Sequence, residues 1–245
     1  MKIKRMFLVV IAILSGLLIS GYILFQISKS RSFQFFGNII PRVNTSEKVI
    51  ALTFDDAPTK YSGEVVDILK EKGIKATFYA IGHNIEQNPD EAKYIVENGN
   101  ELGNHSYSHQ RFLLKSPSFV ESEIEKTNDL IRNTGYKGEI TFRPPFGKKL
   151  FALPWYLSQH GIKTIMVDVE AETYMPQLES DSEKTQFLVD YTVGRTQPGS
   201  IILLHPFCEA CSSSRQAIGQ IIDKLQSMGY KFVTVTELLS YETKD

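Results

Sequence analysis

Three histidines, two adjacent aspartates and one arginine stand out as residues whose types and spacing could do chemistry. In Thr53-Phe54-Asp55-Asp56-Ala57-Pro58, two carboxylates are neighbours. At a strand end successive side chains point to opposite faces, so Asp55 and Asp56 can hold different roles, one binding a cation and the other accepting a proton. His105-Ser106-Tyr107-Ser108-His109 sets two imidazoles four residues apart, and on a helical turn they would share one face. With a carboxylate from another strand they make a 2-His-1-carboxylate set that leaves positions open for water or substrate. Arg143-Pro144-Pro145-Phe146-Gly147 fixes an arginine on a turn stiffened by proline. A guanidinium aimed at a carboxylate keeps it ionised and directed. His205 closes the apolar run Gly199-Ser200-Ile201-Ile202-Leu203-Leu204, and imidazole can deliver a proton near neutral pH. Taken singly, each of these is also a cap, a turn residue, a solvated arginine or a satisfied core histidine.

The elements that must carry these residues argue for the shared role. Apolar, β-rich runs fall at Val49–Phe54, Ala76–Ile81, Glu101–Asn104, Ile140–Arg143, Thr164–Val169, Ile201–His205 and Phe232–Val235. Between them Glu64–Lys72, Glu91–Asn98, Ser118–Asn133 and Arg215–Met228 have helical spacing and end at Gly73, Gly99, Gly135 and Gly229. Leu153–His160 and Lys184–Val193 are weaker helical patterns. Strands alternating with helices predict a mostly parallel sheet, either a small barrel or an open doubly wound one. The reactive residues then cluster at the C-terminal ends of the strands, the rim where α/β barrels build active sites.

The rest of the chain bounds the setting. Its 245 residues, 42% hydrophobic and 22% charged, suit one medium domain with an appendage, and a net charge of −1 gives no electrostatic reason to expect nucleic acid. The appendage is an apolar run over 6–27, preceded by Lys2, Lys4 and Arg5. It is long enough to span a bilayer as a helix, exceeds the core of a signal peptide and is followed by no good small-x-small cleavage site, which favours a retained anchor over a cleaved signal. The positive flank predicts a cytoplasmic N-terminus over 1–5, a transmembrane signal anchor over 6–27 and an extracytoplasmic remainder. Residues 28–46, polar and irregular with Pro41, read as a linker to a domain over 47–245. Cys208 and Cys211 are the only cysteines and suit a local disulfide or free thiols.

On these motifs the chain resembles the polysaccharide deacetylase family, the NodB-homology domain of carbohydrate esterase family four, over roughly Lys48 to Leu239. The resemblance implies a distorted (β/α)7 barrel, here preceded by the transmembrane helix. It makes Asp55 the base, Asp56, His105 and His109 the ligands of one divalent ion, Zn2+ for preference, Arg143 the residue orienting Asp55, and His205 the acid. The Phe146 backbone N–H would help hold an oxyanion. The family's fourth motif, often an Asp-Trp pair, falls on Thr173 and Tyr174, so Glu172 or Glu170 must replace the aspartate that supports the acid, with Glu172 preferred. Tyr174 could still wall in an acetyl methyl group. Ala57 replaces a glycine; if that position needs a positive φ, alanine costs about 1 kcal/mol or reshapes the turn.

The implied reaction is hydrolysis of N-acetyl groups on an N-acetylglucosamine-containing polysaccharide: peptidoglycan, a chitin-like oligomer or an exopolysaccharide. Two rivals remain. The same site could cleave an O-acetyl ester, or the chain could be a degenerate module that holds glycan without turnover. A glycosidase using Asp55 and Asp56 fits less well, since its two carboxyls must flank the bond roughly 5 Å or more apart.

Overall fold

The computed structural model describes residues 2–243. Met1, the start of the expected cytoplasmic segment, and residues 244–245, the end of the expected domain, lie outside them. The first half of the chain runs α1 (Lys2–Ser28), β1 (Ile39–Ile40), β2 (Val49–Ala57), α2 (Ser62–Glu71), β3 (Thr77–Ala80), α3 (Gly82–Gln87), α4 (Pro89–Glu97), β4 (Glu101–Asn104) and α5 (Pro117–Asn133). The second half continues α6 (Ala152–Gln159), β5 (Thr164–Ile165), β6 (Val169–Glu170), α7 (Asp181–Arg195), β7 (Ile201–Leu204), α8 (Ser212–Ser227), β8 (Lys231–Val233) and α9 (Val235–Leu239).

The sheet is parallel, in the order β4-β3-β2-β7-β6, with β8 also on β2. β2 is its centre and alternates cleanly. Ile50, Leu52 and Phe54 face the surrounding helices, packing with Val66, Leu69, Ile218 and Ile222. Ala51 faces inward with Tyr79, Val167, Ile201 and Leu203. Thr53 and Asp55 continue that inward row by the two-residue period.

Beyond β4 the ladder does not continue as a full sheet. Single parallel bridges join Asn104 to Phe142 and Phe142 to Thr164. The strand expected over Ile140–Arg143 is therefore reduced to one bridged residue, because Pro144 and Pro145 bring no N–H to extend it. The strand expected over Thr164–Val169 is split into β5 and β6. At the break the Asp168 carboxylate accepts from Ser200 Oγ and the Ile201 N–H, each at 2.8 Å. The result is a parallel α/β fold of the distorted-barrel kind, interrupted on the side away from β2.

Helix ends follow their local chemistry. Ser180 and Glu183 form a capping box on α7, and Ser116 caps α5 ahead of Pro117. After α2 and α8 the chain turns at Gly73 and Gly229 with φ of 68° and 85°, a region glycine enters without strain. The loop after β7 carries a Cys208–Cys211 disulfide with Cα atoms 5.0 Å apart. Arg215 braces the same loop, donating at 2.7 Å to the carbonyls of both Pro206 and Cys208.

Residues 28–46 are not a free linker. Ile39 and Ile40 pair with β5, Val43 is fully buried, and the Val43 N–H donates to the Gly199 carbonyl at 3.0 Å. A side chain at Gly199 would meet the Val43 carbonyl oxygen at 1.9 Å, so only glycine admits this approach. Lys149, almost fully buried, donates its ammonium to the Ser30 carbonyl at 2.5 Å and its backbone N–H to that of Ser28 at 2.9 Å. Burial holds its pKa down at about 8. By contrast, α1 is long and apolar enough to cross a membrane, and its large apolar side chains from Met6 to Phe25 are mostly exposed.

Candidate active site

A cleft of about 590 Å³ opens on the rim formed by the C-terminal strand ends. It is lined by Asp55, Asp56, His105, His109, Arg143 and His205, with Phe146, Met166, Val167 and Leu203 forming its walls. Lys29, Arg31 and Glu170 close one side, Arg31 pairing with Glu170.

Asp55 stands at the inward end of β2 and is 3% exposed. Arg143 Nη1 donates to its Oδ1 at 2.7 Å and to Thr53 Oγ1 at 2.8 Å. The guanidinium lies over the Tyr79 ring, 4.0 Å from its centre, which fixes its plane. Burial works against the Asp55 charge, but Arg143, His105 and His205 outweigh it and hold the carboxyl below its ordinary range. Asp55 is thus an ionised carboxylate in a dry place, with Oδ2 turned toward His105 Nε2 at 3.6 Å.

Strand parity would send Asp56 to the helical side. Instead, the β2–β3 register slips between Asp55 and Ala57, and Asp56 takes φ 71°, so its side chain swings back to the rim. Both carboxylates thus reach the same cleft while pointing differently, Asp55 Oδ1 to Arg143 and Asp56 Oδ1 to His105 and His109. The strain anticipated at Ala57 lies one residue earlier, since Asp56 and not Ala57 has the positive φ.

The two histidines are also not on a helical turn. Residues 105–109 form a loop with φ of 66° at Ser106 and 54° at His109. Glu123 on α5 shapes it, accepting from the N–H groups of Tyr107 and Ser108 at 3.1 and 2.8 Å, while Asn104 Oδ1 accepts from the Ser106 N–H at 2.8 Å. His105 Nδ1 lies 2.7 Å from the Arg143 carbonyl oxygen. That acceptor assigns the proton to Nδ1 and leaves the Nε2 lone pair pointing into the cleft. Burial keeps the pKa of both histidines low, favouring neutral rings with a lone pair to give.

Asp56, His105 and His109 form a candidate metal site, each offering an atom within 4.8 Å of the others. Asp56 Oδ1 lies 3.3 Å from His109 Nε2 and 3.8 Å from His105 Nε2. This oxygen is buried and accepts no hydrogen bond, and burial pushes the carboxyl upward. A cation would satisfy it and reverse the balance toward the ionised form. The donor set therefore fits a divalent ion.

His205 follows β7, the strand paired with β2, and also lines the cleft. Its Nδ1 lies 2.5 Å from Glu172 Oε2, and its backbone N–H donates to Glu172 Oε1 and Oε2 at 3.0 and 3.1 Å. Ser214 Oγ donates to Glu172 Oε1 at 2.6 Å. Burial opposes a charged imidazole, yet the Glu172 hydrogen bond and charge overcome it and raise the pKa to about 9. Glu172 is in turn held below its ordinary range, because this bonding outweighs its burial. Glu170, the other acid considered for this place, is occupied by Arg31.

Of the expected site residues, Tyr174 does not join the group. It is 59% exposed, stacks on Tyr191 with ring centres 5.3 Å apart, and lies outside the cleft lining. Phe146 does join, with φ 56° and its ring 4.7 Å from that of His109. Sequence reasoning missed Thr53, Tyr79, Asn104, Glu123 and Ser214. Thr53 alone left a trace, as the residue two before Asp55 on the inward row.

A sequence model of the family described as "Polysaccharide deacetylase" matches residues 42–165. The chain is 31% identical over 210 residues to a peptidoglycan-N-acetylglucosamine deacetylase of Bacillus cereus, covering 84% of this chain and 95% of that one. A solved structure of a peptidoglycan N-acetylglucosamine deacetylase superposes with a TM-score of 0.74 at 25% identity, covering 83% of this chain and 93% of the other. A CE4 family pseudoenzyme from Bacillus anthracis superposes with a TM-score of 0.72 at 30% identity, covering 83% and 69%. Other curated relatives are longer, and the chain spans 31% and 40% of two of them. The chain therefore belongs to the polysaccharide deacetylase family, the NodB-homology group of carbohydrate esterase family four.

Proposed function

We propose that the chain removes N-acetyl groups from N-acetylglucosamine units of a cell-surface polysaccharide, with Asp55 as base and His205 as acid. The observation that carries this reading is the pair of opposed charge states within one cleft. Arg143 holds Asp55 ionised, and Glu172 holds His205 protonated. Two titratable groups driven apart in this way mark a base and an acid.

A divalent ion held by Asp56, His105 and His109, with Zn2+ suited to the nitrogen-rich set, would supply Lewis acidity at the acetyl carbonyl and at water. Asp55 accepts the proton of the attacking water, and Arg143 keeps its carboxylate aimed. On this reading the Phe146 backbone N–H, at the cleft edge, helps hold the developing oxyanion. Met166, Val167 and Leu203, rather than Tyr174, form the apolar wall for the acetyl methyl. His205 protonates the departing amine, with Glu172 and Ser214 fixing its ring. The C–N bond breaks, leaving acetate and a free amino sugar.

In the same reading α1 is a membrane anchor, with the N-terminus cytoplasmic and the domain extracytoplasmic, periplasmic or extracellular. The domain then takes in residues 28–46 as its first packed segment. The test is acetate release by the purified chain from N-acetylated chitooligomers and peptidoglycan fragments, beside O-acetylated xylan, with Asp55→Asn and His205→Ala as controls. Turnover on the N-acetylated glycans that both substitutions abolish is expected. Turnover confined to xylan would replace this reading with an esterase, and none at all would replace it with a glycan-binding module.

A further inference from the structure

Five aromatic side chains lie exposed beside the end of α1, outside the catalytic cleft. Phe33, Phe35, Phe36, Phe151 and Trp155 are between 36% and 50% exposed. They pack on one another: Phe33 on Phe35 at 5.7 Å, Phe35 stacked on Phe151 at 4.8 Å, and Phe36 edge-on to Trp155 at 5.2 Å between ring centres. A soluble surface rarely gathers apolar rings in this way without a partner.

The position of the patch points to its partner. Phe25, in the last turn of α1, has Lys29 and Lys148 over its ring at 5.1 and 4.7 Å. Lysines above an apolar helix end mark the headgroup level of a bilayer. Lys149, next in the chain, is bonded to the Ser28 and Ser30 carbonyls, so the segment leading to Phe151 and Trp155 is fixed to the helix end. The aromatic patch thus continues from the boundary at which the apolar helix stops. Tryptophan concentrates at that boundary because its ring is apolar and its N–H reaches water, and phenylalanine beside it adds apolar area of the kind that surface-lying segments bury at the headgroup–acyl boundary.

We propose that Phe33, Phe35, Phe36, Phe151 and Trp155 form a membrane-seating surface that lays the domain on the outer face of the bilayer, its occupant being the headgroup and upper acyl region of the lipid. The cleft wall made by Lys29 then opens close to the lipid surface. The inference rests on α1 spanning the membrane.

Trp155 is the only tryptophan in the chain and reports on the patch directly. The full chain is reconstituted in phosphatidylglycerol–phosphatidylcholine vesicles, with part of the lipid brominated near the headgroup or near the acyl terminus. Trp155 emission should be blue-shifted, strongly quenched by shallow bromine, and several-fold less accessible to aqueous iodide than in urea. Phe35→Ser with Phe36→Ser should restore iodide access while leaving acetate release in place. Full iodide quenching in vesicles with no effect of bromolipid overturns the proposal. So does saturable quenching of Trp155 by a chitooligomer with none by lipid, which would make the patch a sugar platform. Alkaline carbonate extraction separately tests the anchor: release of the chain would remove the spanning helix on which the proposal stands. Retention with an iodide-accessible Trp155 would sink the seating surface alone.

Discussion

Replacing Glu172 with glutamine removes one charge from the His205 pair while keeping its size and one acceptor oxygen. In the native pair His205 has a pKa of about 9, so at pH 8 about nine in ten imidazoles carry the proton. Without the carboxylate the ring loses its strongest upward pull, and only Asp55 and Asp56 still oppose burial; a return to the ordinary value of about 6.5 would leave about three in a hundred protonated at pH 8. If His205 gives its proton to the leaving amine, kcat/KM at pH 8 should fall roughly 30-fold. The side chain is 35% exposed, so water screens part of the pair, and a roughly 10-fold fall is the least that fits. The assay is acetate release across the pH range. The alkaline limb should move from near 9 to near 6.5 while activity on the acid side stays close to wild type. Superimposable profiles, or a loss equal at every pH, would refute the reasoning. Stability should follow in sign. His205, with its folded pKa raised from 6.5, contributes fully below that value and loses the contribution as pH rises through about 9. Glu172, lowered from 4.5, contributes above that value and loses it as pH falls. The melting difference between wild type and Glu172→Gln should therefore be widest between those two ordinary values.

Other perturbations test the remaining parts. Chelation should abolish acetate release and added Zn2+ restore it, while His109→Ala should lower bound metal, read by elemental analysis, from about one ion per chain to a small fraction; full turnover by metal-free protein would contradict the triad. Arg143→Met leaves the buried Asp55 charge alone and should destabilise the fold by about 3–5 kcal/mol, seen as a lower urea midpoint at unchanged slope. A change below about 1 kcal/mol would mean that Asp55 is not charged in the native state. Cys208→Ser with Cys211→Ser opens a very short loop, so the loss should not exceed about 2 kcal/mol by thermal or urea unfolding.

The site was legible where function and fold use the same pattern. The two-residue period of β2 places Asp55 inward, and the strand-end positions of His105, Arg143 and His205 follow from the alternation of strands and helices. What could not be read depended on single residues of slack or on distant partners. The register slip that turns Asp56 to the rim is one residue long. The histidine loop takes its shape from Glu123, on a helix that begins beyond it, so four-residue spacing suggested a helical turn that does not form. Glu172 and Glu170 differ by two positions, and only the short helical turn over Glu172–Tyr174 directs the first to His205 and leaves the second to Arg31. Residues 28–46 read as a linker because their partners, Gly199 and Lys149, lie over a hundred positions away.

The packing of that segment ties the end of α1 to the cleft. Lys29 and Arg31 wall the cleft, Ser30 supplies the acceptor for the buried Lys149 ammonium, and Val43 fills the groove over Gly199. A protease that shed the domain by cutting just before residue 47 would strip all of them at once. It would leave a cleft open on one flank and a lysine whose burial had lost its compensation. With α1 as the anchor and the cleft as the active site, as proposed, release from the cell surface and loss of activity would be one event.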